Sequence, residues 1–478
     1  MSDPEHLISL NREALLALVA ELQRQLMEQQ RQIAELTERN VALQAALERL
    51  SRGAKRQATP FSKGTRVAKP KRPGRKPGTG LFCYREGPLA TQLTEPPVDV
   101  PVTLETCPDC GGSLTEERVD FAYTTDLPPM PRPTVTQYRI SVCRCTSCGK
   151  QVRGQHPAVA PDQYGATAHR VGERVMAAAH GLHYGVGLPV RKVPVVLEAL
   201  TGVTVTQGAI TQDAMRRAQD VIGDVYAQLR AAVPKHPVVH TDDTGWRVGG
   251  KAAYLMAFET EEATVYQIRP QHRHEEVQEV IPPDYAGVMV TDRGRSYDAQ
   301  AFDGVKQQKC LAHILRSIHD ILHSKTGRAR DFGERLKALL QEAIQRWQTY
   351  HAGAVADFDA DAQRLRDALT HHLRNRCLTD PDNQRLLNQI GRHHDRGNLL
   401  RFLADPRIEP TNNRAERVLR PAVIARKVSQ CSKNASGAYA HAAFTSVVRT
   451  LVKHSGMQAL VIGLYDIFQS VSVHAAPI

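Results

Sequence analysis

Between residues 7 and 50, apolar side chains return with a seven-residue period. One seam holds Leu15, Leu22, Gln29, Leu36, Leu43 and Leu50, the other Val19, Leu26, Ile33, Asn40 and Leu47. A strict heptad winds helices around one another, and an Asn in the seam helps to fix register and dimer state. A two-stranded coiled coil is expected over 7–50; a single amphipathic helix laid on the body is the plainer reading. Helical spacing returns over Val171–Leu182, Val190–Leu200 and Gln207–Ala218, with the turn Thr201–Thr206 before the last. Helix, Gly-containing turn and Thr-capped helix fit a helix-turn-helix domain at 165–232, and equally an ordinary helical hairpin. From 236 to 321 the period becomes that of strands, at about 237–241, 251–259, 263–269 and 287–291, with a helix near 272–281 and a fifth strand from Val305. Charged helical segments follow over Arg328–Tyr350, Ala354–Arg374 and Asn383–Leu403, and two more near 438–454 and 457–470 close the chain. Periodicity alone gives a multi-domain α/β protein.

The length, 478 residues, leaves room for about three domains. The net charge of +12 and pI near 9.3 suit a polyanionic partner. The charge is concentrated. Residues 51–85 contain no acid and carry ten Lys or Arg between Arg52 and Lys76, among Pro and Gly. Such a segment buries no core and reads as a cationic linker. Its centre, Arg72-Pro-Gly-Arg75-Lys76-Pro-Gly, is similar to an AT-hook, which lays Arg into a narrow minor groove; a solvated linker with nonspecific phosphate affinity fits equally well. In the following domain, 100–155, Cys107-x-x-Cys110-Gly is matched by Cys145-x-x-Cys148-Gly. Four thiolates in two such knuckles suit one tetrahedral structural Zn²⁺. In the helical domain, Gln207, Arg216 and Arg217 are the candidates for DNA contact, beside Thr211 and Gln212. No apolar run reaches the roughly 18 residues of a membrane helix, and Met-Ser-Asp-Pro-Glu-His is no signal peptide. Paired cysteines point to a reducing compartment, so a cytoplasmic protein is expected.

Candidate chemistry lies in three acidic positions. Asp242 follows the apolar run Pro237–His240, and Asp292 follows Gly287–Thr291. Glu416 sits about one turn inside a helix that Thr411 or Asn412 would cap. Two strand-end aspartates and a helical glutamate make an oxygen-only set suited to two Mg²⁺ (or Mn²⁺) ions. Two such ions clamp the attacking and leaving oxygens of an in-line phosphoryl displacement. Asp243 is a rival for Asp242. His313, in Cys310-x-x-His313, reads either as a partner of the carboxylates or phosphate, or as part of a structural pair. Asn413, Arg417, Arg420 and Lys427 are candidate supports, the basic ones for phosphate.

The segments HTDDTGWRV, VTDRGRSYDA, KCLAHILR and EPTNNRAERVLRPAVIARK together resemble the insertion-sequence family 66 transposases. The resemblance implies a ribonuclease H-like DDE domain over 236–321 and 409–436, with a helical insertion at 322–408 and C-terminal helices at 437–478. It implies metal-dependent cleavage and strand transfer at the ends of an insertion sequence, with Asp242, Asp292 and Glu416 as catalytic residues. The family usually has Asp-Glu-Thr where this chain has Asp242-Asp243-Thr244, so the first Asp is the matching one. Expected partners are double-stranded DNA, a second or further copies of the chain, and accessory proteins of the same element. Residues alone leave two other readings open: a dimeric DNA-binding regulator with a degenerate nuclease fold, and a metal-dependent nuclease that cuts without joining.

Overall fold

The computed structural model describes residues 132–470 except 161, 354–358, 375, 376 and 430, with parts of 96–124 and a broken helical stretch between 12 and 35. Most of the expected coiled coil, and the basic linker with Arg72, Arg75 and Lys76, lie outside the described residues. The chain forms two compact units, residues 1–123 and 124–478.

In the first unit the described part of 12–35 is helical, and the seam residues Leu26 and Ile33 are exposed. Further on, Cys107 opens a tight turn. Its amide donates to Gly112 O at 3.0 Å, the Gly111 amide donates to Cys107 O at 2.8 Å, and Gly111 takes φ +73°.

The second unit begins with the hairpin β1 (Val142–Arg144) and β2 (Gln151–Arg153), joined through the turn at Cys145. Helices α1 (Glu173–His180), α2 (Val193–Thr201), α3 (Gln207–Ala218) and α4 (Val221–Ala232) follow. The Thr206 hydroxyl accepts from the Ala209 amide at 3.1 Å, which is why α3 starts where the sequence says.

A five-stranded mixed sheet is next: β3 (Val238–Val248), β4 (Lys251–Glu259), β5 (Thr264–Arg269), β6 (Val288–Thr291) and β7 (Lys306–Lys309), in spatial order β5-β4-β3-β6-β7. The first three strands pair antiparallel, and β6 and β7 add parallel to β3. The short helix α5 (His274–Gln278) links β5 to β6. Strand β3 is longer than expected. Its parallel pairing with β6 ends at His240, but its antiparallel pairing with β4 runs on to Val248. Gly245 lies within that strand opposite Tyr254, and the reversal falls at Gly249 and Gly250, with φ +56° and +80°.

Alternation and register divide the sheet into two faces. Trp246, Ala253, Leu255, Ala257, Tyr266 and Ile268 share one face, with Leu419 and Ala422 of α10 (Asn413–Ser429) against them. Val288 and Val290 lie on the same face beneath α6 (Leu311–Ser324). Val239, Met256, Phe258, Val265 and Met289 face the other way, against α3, α4, α11 (Ala435–Ser455) and α12 (Leu460–Gln469). Both sheet edges are covered, which removes the hazard of open strands. On β5 the amides of Tyr266 and Thr264 donate to Ser446 Oγ at 2.8 Å and Thr450 Oγ1 at 3.1 Å of α11. On β7 the Lys309 amide donates to Asn398 O at 2.7 Å.

Between α6 and α10 run α7 (Arg328–His351), α8 (Asp359–Leu373) and α9 (Pro381–Asp395), whose apolar stripes share one core with α6. This excursion leaves and returns at one place: the Leu311 amide donates to Pro410 O at 2.9 Å.

Candidate active site

Asp242 stands in the middle of β3, at the point where the strand has lost its parallel neighbour and keeps its antiparallel one. The expectation of a strand end is thereby corrected: only the parallel ladder ends there. Carrying the Val238–Val288 register onward sets Asp292, the residue after β6, beside Asp242 on the face under α6 and α10. The Asp292 carboxylate is fixed by its own turn, Oδ1 accepting from the Gly294 amide at 2.7 Å. A Cβ on Gly294 would lie 2.8 Å from that oxygen, so the turn needs glycine. Arg293 anchors the turn outward, donating to Gln389 Oε1 at 2.8 Å and Ser317 Oγ at 2.5 Å.

Glu416 lies in the first turn of α10. Asn412, fully buried, joins the carriers of all three acids. Its side-chain amide donates to Thr241 O at 2.8 Å and its backbone amide to Cys310 Sγ at 3.1 Å. The Cys310 amide in turn donates to Thr291 O at 2.8 Å. The Asn412 side chain thus crosses to β3 instead of capping α10. Sequence reasoning left Asn412 between cap and substrate contact; only its place in an Asn-Asn doublet before Glu416 signalled it. Two further bonds seat α10 on the sheet: Tyr266 Oη donates to Val418 O at 2.6 Å, and Arg426 donates to Thr244 Oγ1 at 3.3 Å and to Gly245 O.

Burial is the main force on the Asp242 carboxyl, which is pushed up to about 8; the Asp243 amide pulls it down, and the charges of Asp292, Asp243 and Glu416 push it up. Asp243 is the neighbour on the opposite face. It lies 3.2 Å from His272 Nε2, and burial raises its carboxyl while His272 lowers it. His313 Nε2 is 3.7 Å from Glu416 Oε1. Ligand atoms of Cys310, His313 and Glu416 all lie within 4.8 Å of one another; among the described residues, no trio containing both aspartates is gathered so tightly.

The Transposase IS66 family model matches residues 169–440, more than half of the chain. The chain belongs to that family. No curated protein is significantly similar to this IS66 family member. Among solved structures, the HTLV-2 integrase catalytic core domain, determined with magnesium in a dimeric form, aligns with 32% of this chain and 96% of its own, at 11% identity and a TM-score of 0.14.

Within this IS66 family chain, Asn413, Arg417, Arg420, Ile424 and Lys427 form one exposed stripe along α10, spaced four, three, four and three residues apart. Arg426 is turned inward to β3. In the helical domain Gln207 and Arg216 are exposed, Arg216 donating to Asp213 at 2.7 Å. Arg217 corrects an expectation. It is buried, pairs with Asp213 at 2.8 Å and with Glu173, and lies 3.7 Å over the Phe468 ring. Helical spacing put it beside Arg216, but one residue along a helix is a 100° turn, and that turn faces the core.

The second cysteine turn repeats the first bond for bond. The Cys145 amide donates to Lys150 O at 2.8 Å, the Gly149 amide to Cys145 O at 2.9 Å, and Gly149 takes φ +72°. Backbone amides two and three residues on lower the thiols of Cys107 (Asp109, Cys110) and Cys145 (Cys148, Ser147). Cys110 and Cys148 are exposed. Among the described residues, no helix is long and apolar enough to cross a membrane.

Proposed function

We propose that this chain cuts DNA at the ends of its element and joins the freed 3′-hydroxyl to a target phosphate, with Asp242, Asp292 and Glu416 as the catalytic acids. One observation carries the reading: Asp242 and Asp292 share a face of adjacent strands beneath the helix that holds Glu416. Three antiparallel strands followed by two parallel ones support the ribonuclease H-like form of the domain.

The donor set fits Mg²⁺ or Mn²⁺. It is oxygen-only, and the held-up Asp242 carboxyl marks a place where a cation would relieve repulsion and displace a proton. Asp242, Asp292 and Glu416 would hold the ions between them without having to touch one another. Divalent ions bound there would supply charge neutralisation at the phosphate and a stronger oxygen nucleophile. The protein's share is positioning. The Gly294 turn fixes Asp292, Asn412 ties the start of α10 to β3 and to α6, and His313 stands where it can orient Glu416. Arg417, Arg420 and Lys427 form a basic edge for the phosphate backbone beside the site. Cys107, Cys110, Cys145 and Cys148 are proposed as zinc ligands, the backbone amides holding the Cys107 and Cys145 thiols below their ordinary range. Gln207 and Arg216, the basic linker and the heptad segment are proposed to supply DNA contact and self-association.

The deciding experiment is cleavage and joining of a labelled element-end duplex in Mg²⁺ or Mn²⁺, by the wild type and Glu416→Gln. Both steps by the wild type, lost in the variant with DNA binding intact, support the reading. Cutting without joining favours a nuclease. Binding without cleavage in either protein, with the element's accessory proteins added, favours a regulator.

A further inference from the structure

Cys310 holds the Asn412 amide at 3.1 Å, and it is also placed like the first cysteine of each knuckle. In those, the thiol is approached by the backbone amides two and three residues on: Asp109 and Cys110 at Cys107, Ser147 and Cys148 at Cys145. At Cys310 the same positions, Ala312 and His313, approach the sulfur, and the Asn412 amide adds a third bond at 3.1 Å. The spacing is the same too, with His313 standing where each knuckle has its second Cys. Burial is the largest influence on this thiol and raises it, while the three amides pull the other way. A carboxylate completes the group, since Cys310, His313 and Glu416 have ligand atoms within 4.8 Å of one another.

We infer that Cys310, His313 and Glu416 form a binding site for a thiophilic divalent ion, Zn²⁺ before Mg²⁺, which competes with the catalytic use of Glu416. The inference rests on the proposed role of Glu416 for its inhibitory part only. Sulfur, nitrogen and oxygen donors select Zn²⁺ over Mg²⁺, which prefers oxygen alone. Bonds of about 2.0–2.3 Å to a tetrahedral Zn²⁺ put neighbouring ligand atoms about 3.3–3.8 Å apart. The His313 to Glu416 separation of 3.7 Å already meets that, and a small closure brings in the sulfur. Cys310 is buried, but the His313 and Glu416 side chains are 29% and 31% exposed, so an ion enters from their side. Binding releases the thiol proton to solvent and leaves a water in the fourth position. Glu416 held to Cys310 and His313 is withdrawn from the aspartates, and Mg²⁺-dependent cleavage stops.

The test uses the full chain as wild type, Cys310→Ser and His313→Gln. Each is dialysed against Zn²⁺, and bound zinc per chain is measured by elemental mass spectrometry; each is then assayed for Mg²⁺-supported cleavage over a Zn²⁺ titration. The wild type is expected to hold one zinc more than either variant. The cleavage that Cys310→Ser retains is expected to need at least about tenfold more Zn²⁺ for half inhibition, since losing even an outer-shell partner of a metal costs about 10–100-fold in affinity. Equal zinc content in all three proteins overturns the inference, as does equal sensitivity of cleavage to Zn²⁺ in the wild type and Cys310→Ser. If the wild type does not cleave at all, the proposed function fails, and zinc content alone decides the site.

Discussion

Asp242 and Asp243 are adjacent in sequence and face opposite sides of the sheet, so the same substitution at the two positions separates their roles. Asp242→Asn is expected to lower strand cleavage by roughly 10²-fold or more, as loss of a group acting on transition-state charge does. Asp243→Asn loses its contact with His272 and is expected to stay within about tenfold of wild type. The reverse order in a cleavage assay would reassign the metal ligand. Asn412 makes the second case. Asn412→Ala leaves the Thr241 carbonyl without its buried donor, which costs about 1–3 kcal/mol of stability. Urea unfolding reads that cost, and cleavage is expected to fall while DNA binding holds. Asp242, Asp292 and Glu416 could be singled out as candidates because an apolar run precedes each aspartate and a helix start precedes the glutamate, although Asp242 lies inside β3 and not at its end. His272 and Asn412 were not, because their partners lie far along the chain and only the fold brings them together.

At the scale of elements, His441 shows how α11 responds to pH. Its ring stacks on Trp246 of β3 at 5.1 Å and lies 5.8 Å from Tyr184, and burial, aided by the charge of His183, pushes it down to about 3. The folded value lies below the ordinary 6.5, so the unfolded chain takes the proton first as pH falls. The stabilisation is therefore whole above about 6.5 and is lost progressively down to about 3, at about 1.4 kcal/mol per pH unit. His240, also pushed down to about 3, acts with the same sign. Between pH 6.5 and 5, His441→Phe is expected to reduce the acid-induced loss of unfolding free energy by about 2 kcal/mol. A slope unchanged by the substitution would show that the ring is protonated in the fold. Helices α3 and α10 hold a sharper contrast. Arg417→Ala and Arg420→Ala are each expected to weaken DNA binding and to cut the salt slope by about 1. Arg217→Ala removes one partner of a buried charge cluster and is expected to cost about 3–5 kcal/mol of stability with the salt slope unchanged. Helical spacing located α3 to the residue. It did not show which of Arg216 and Arg217 is buried, because that depends on Phe468 and Glu173, which no local pattern brings near.

For the whole molecule, the heptads predict that self-association resides in the N-terminal segment. Deleting residues 1–50 is expected to lower the oligomeric state in sedimentation while Mg²⁺ binding by the remainder persists; an unchanged state would move the interface into the folded body. The α/β class and the order of the five strands could be read from the sequence, because β3 to β6 each carry apolar positions and the polar β7 is flanked by Val305 and Cys310. The spatial order β5-β4-β3-β6-β7 could not, since it depends on which edges α11 and the stretch near Asn398 come to cover.

The excursion that leaves at Leu311 and returns at Pro410 also bears on the chain during its synthesis. Translation delivers the sheet and both aspartates early. Glu416 follows only after the whole helical excursion, and α11, which seals β5, comes later still. Bringing the ends of a long loop together costs little more than for a short one, so the delay is one of order and not of energy. A nascent chain therefore carries two of its three acids while it is still on the ribosome. On the proposed function, a truncated translation product ending inside the excursion lacks Glu416 and is expected not to cut, whatever DNA it holds.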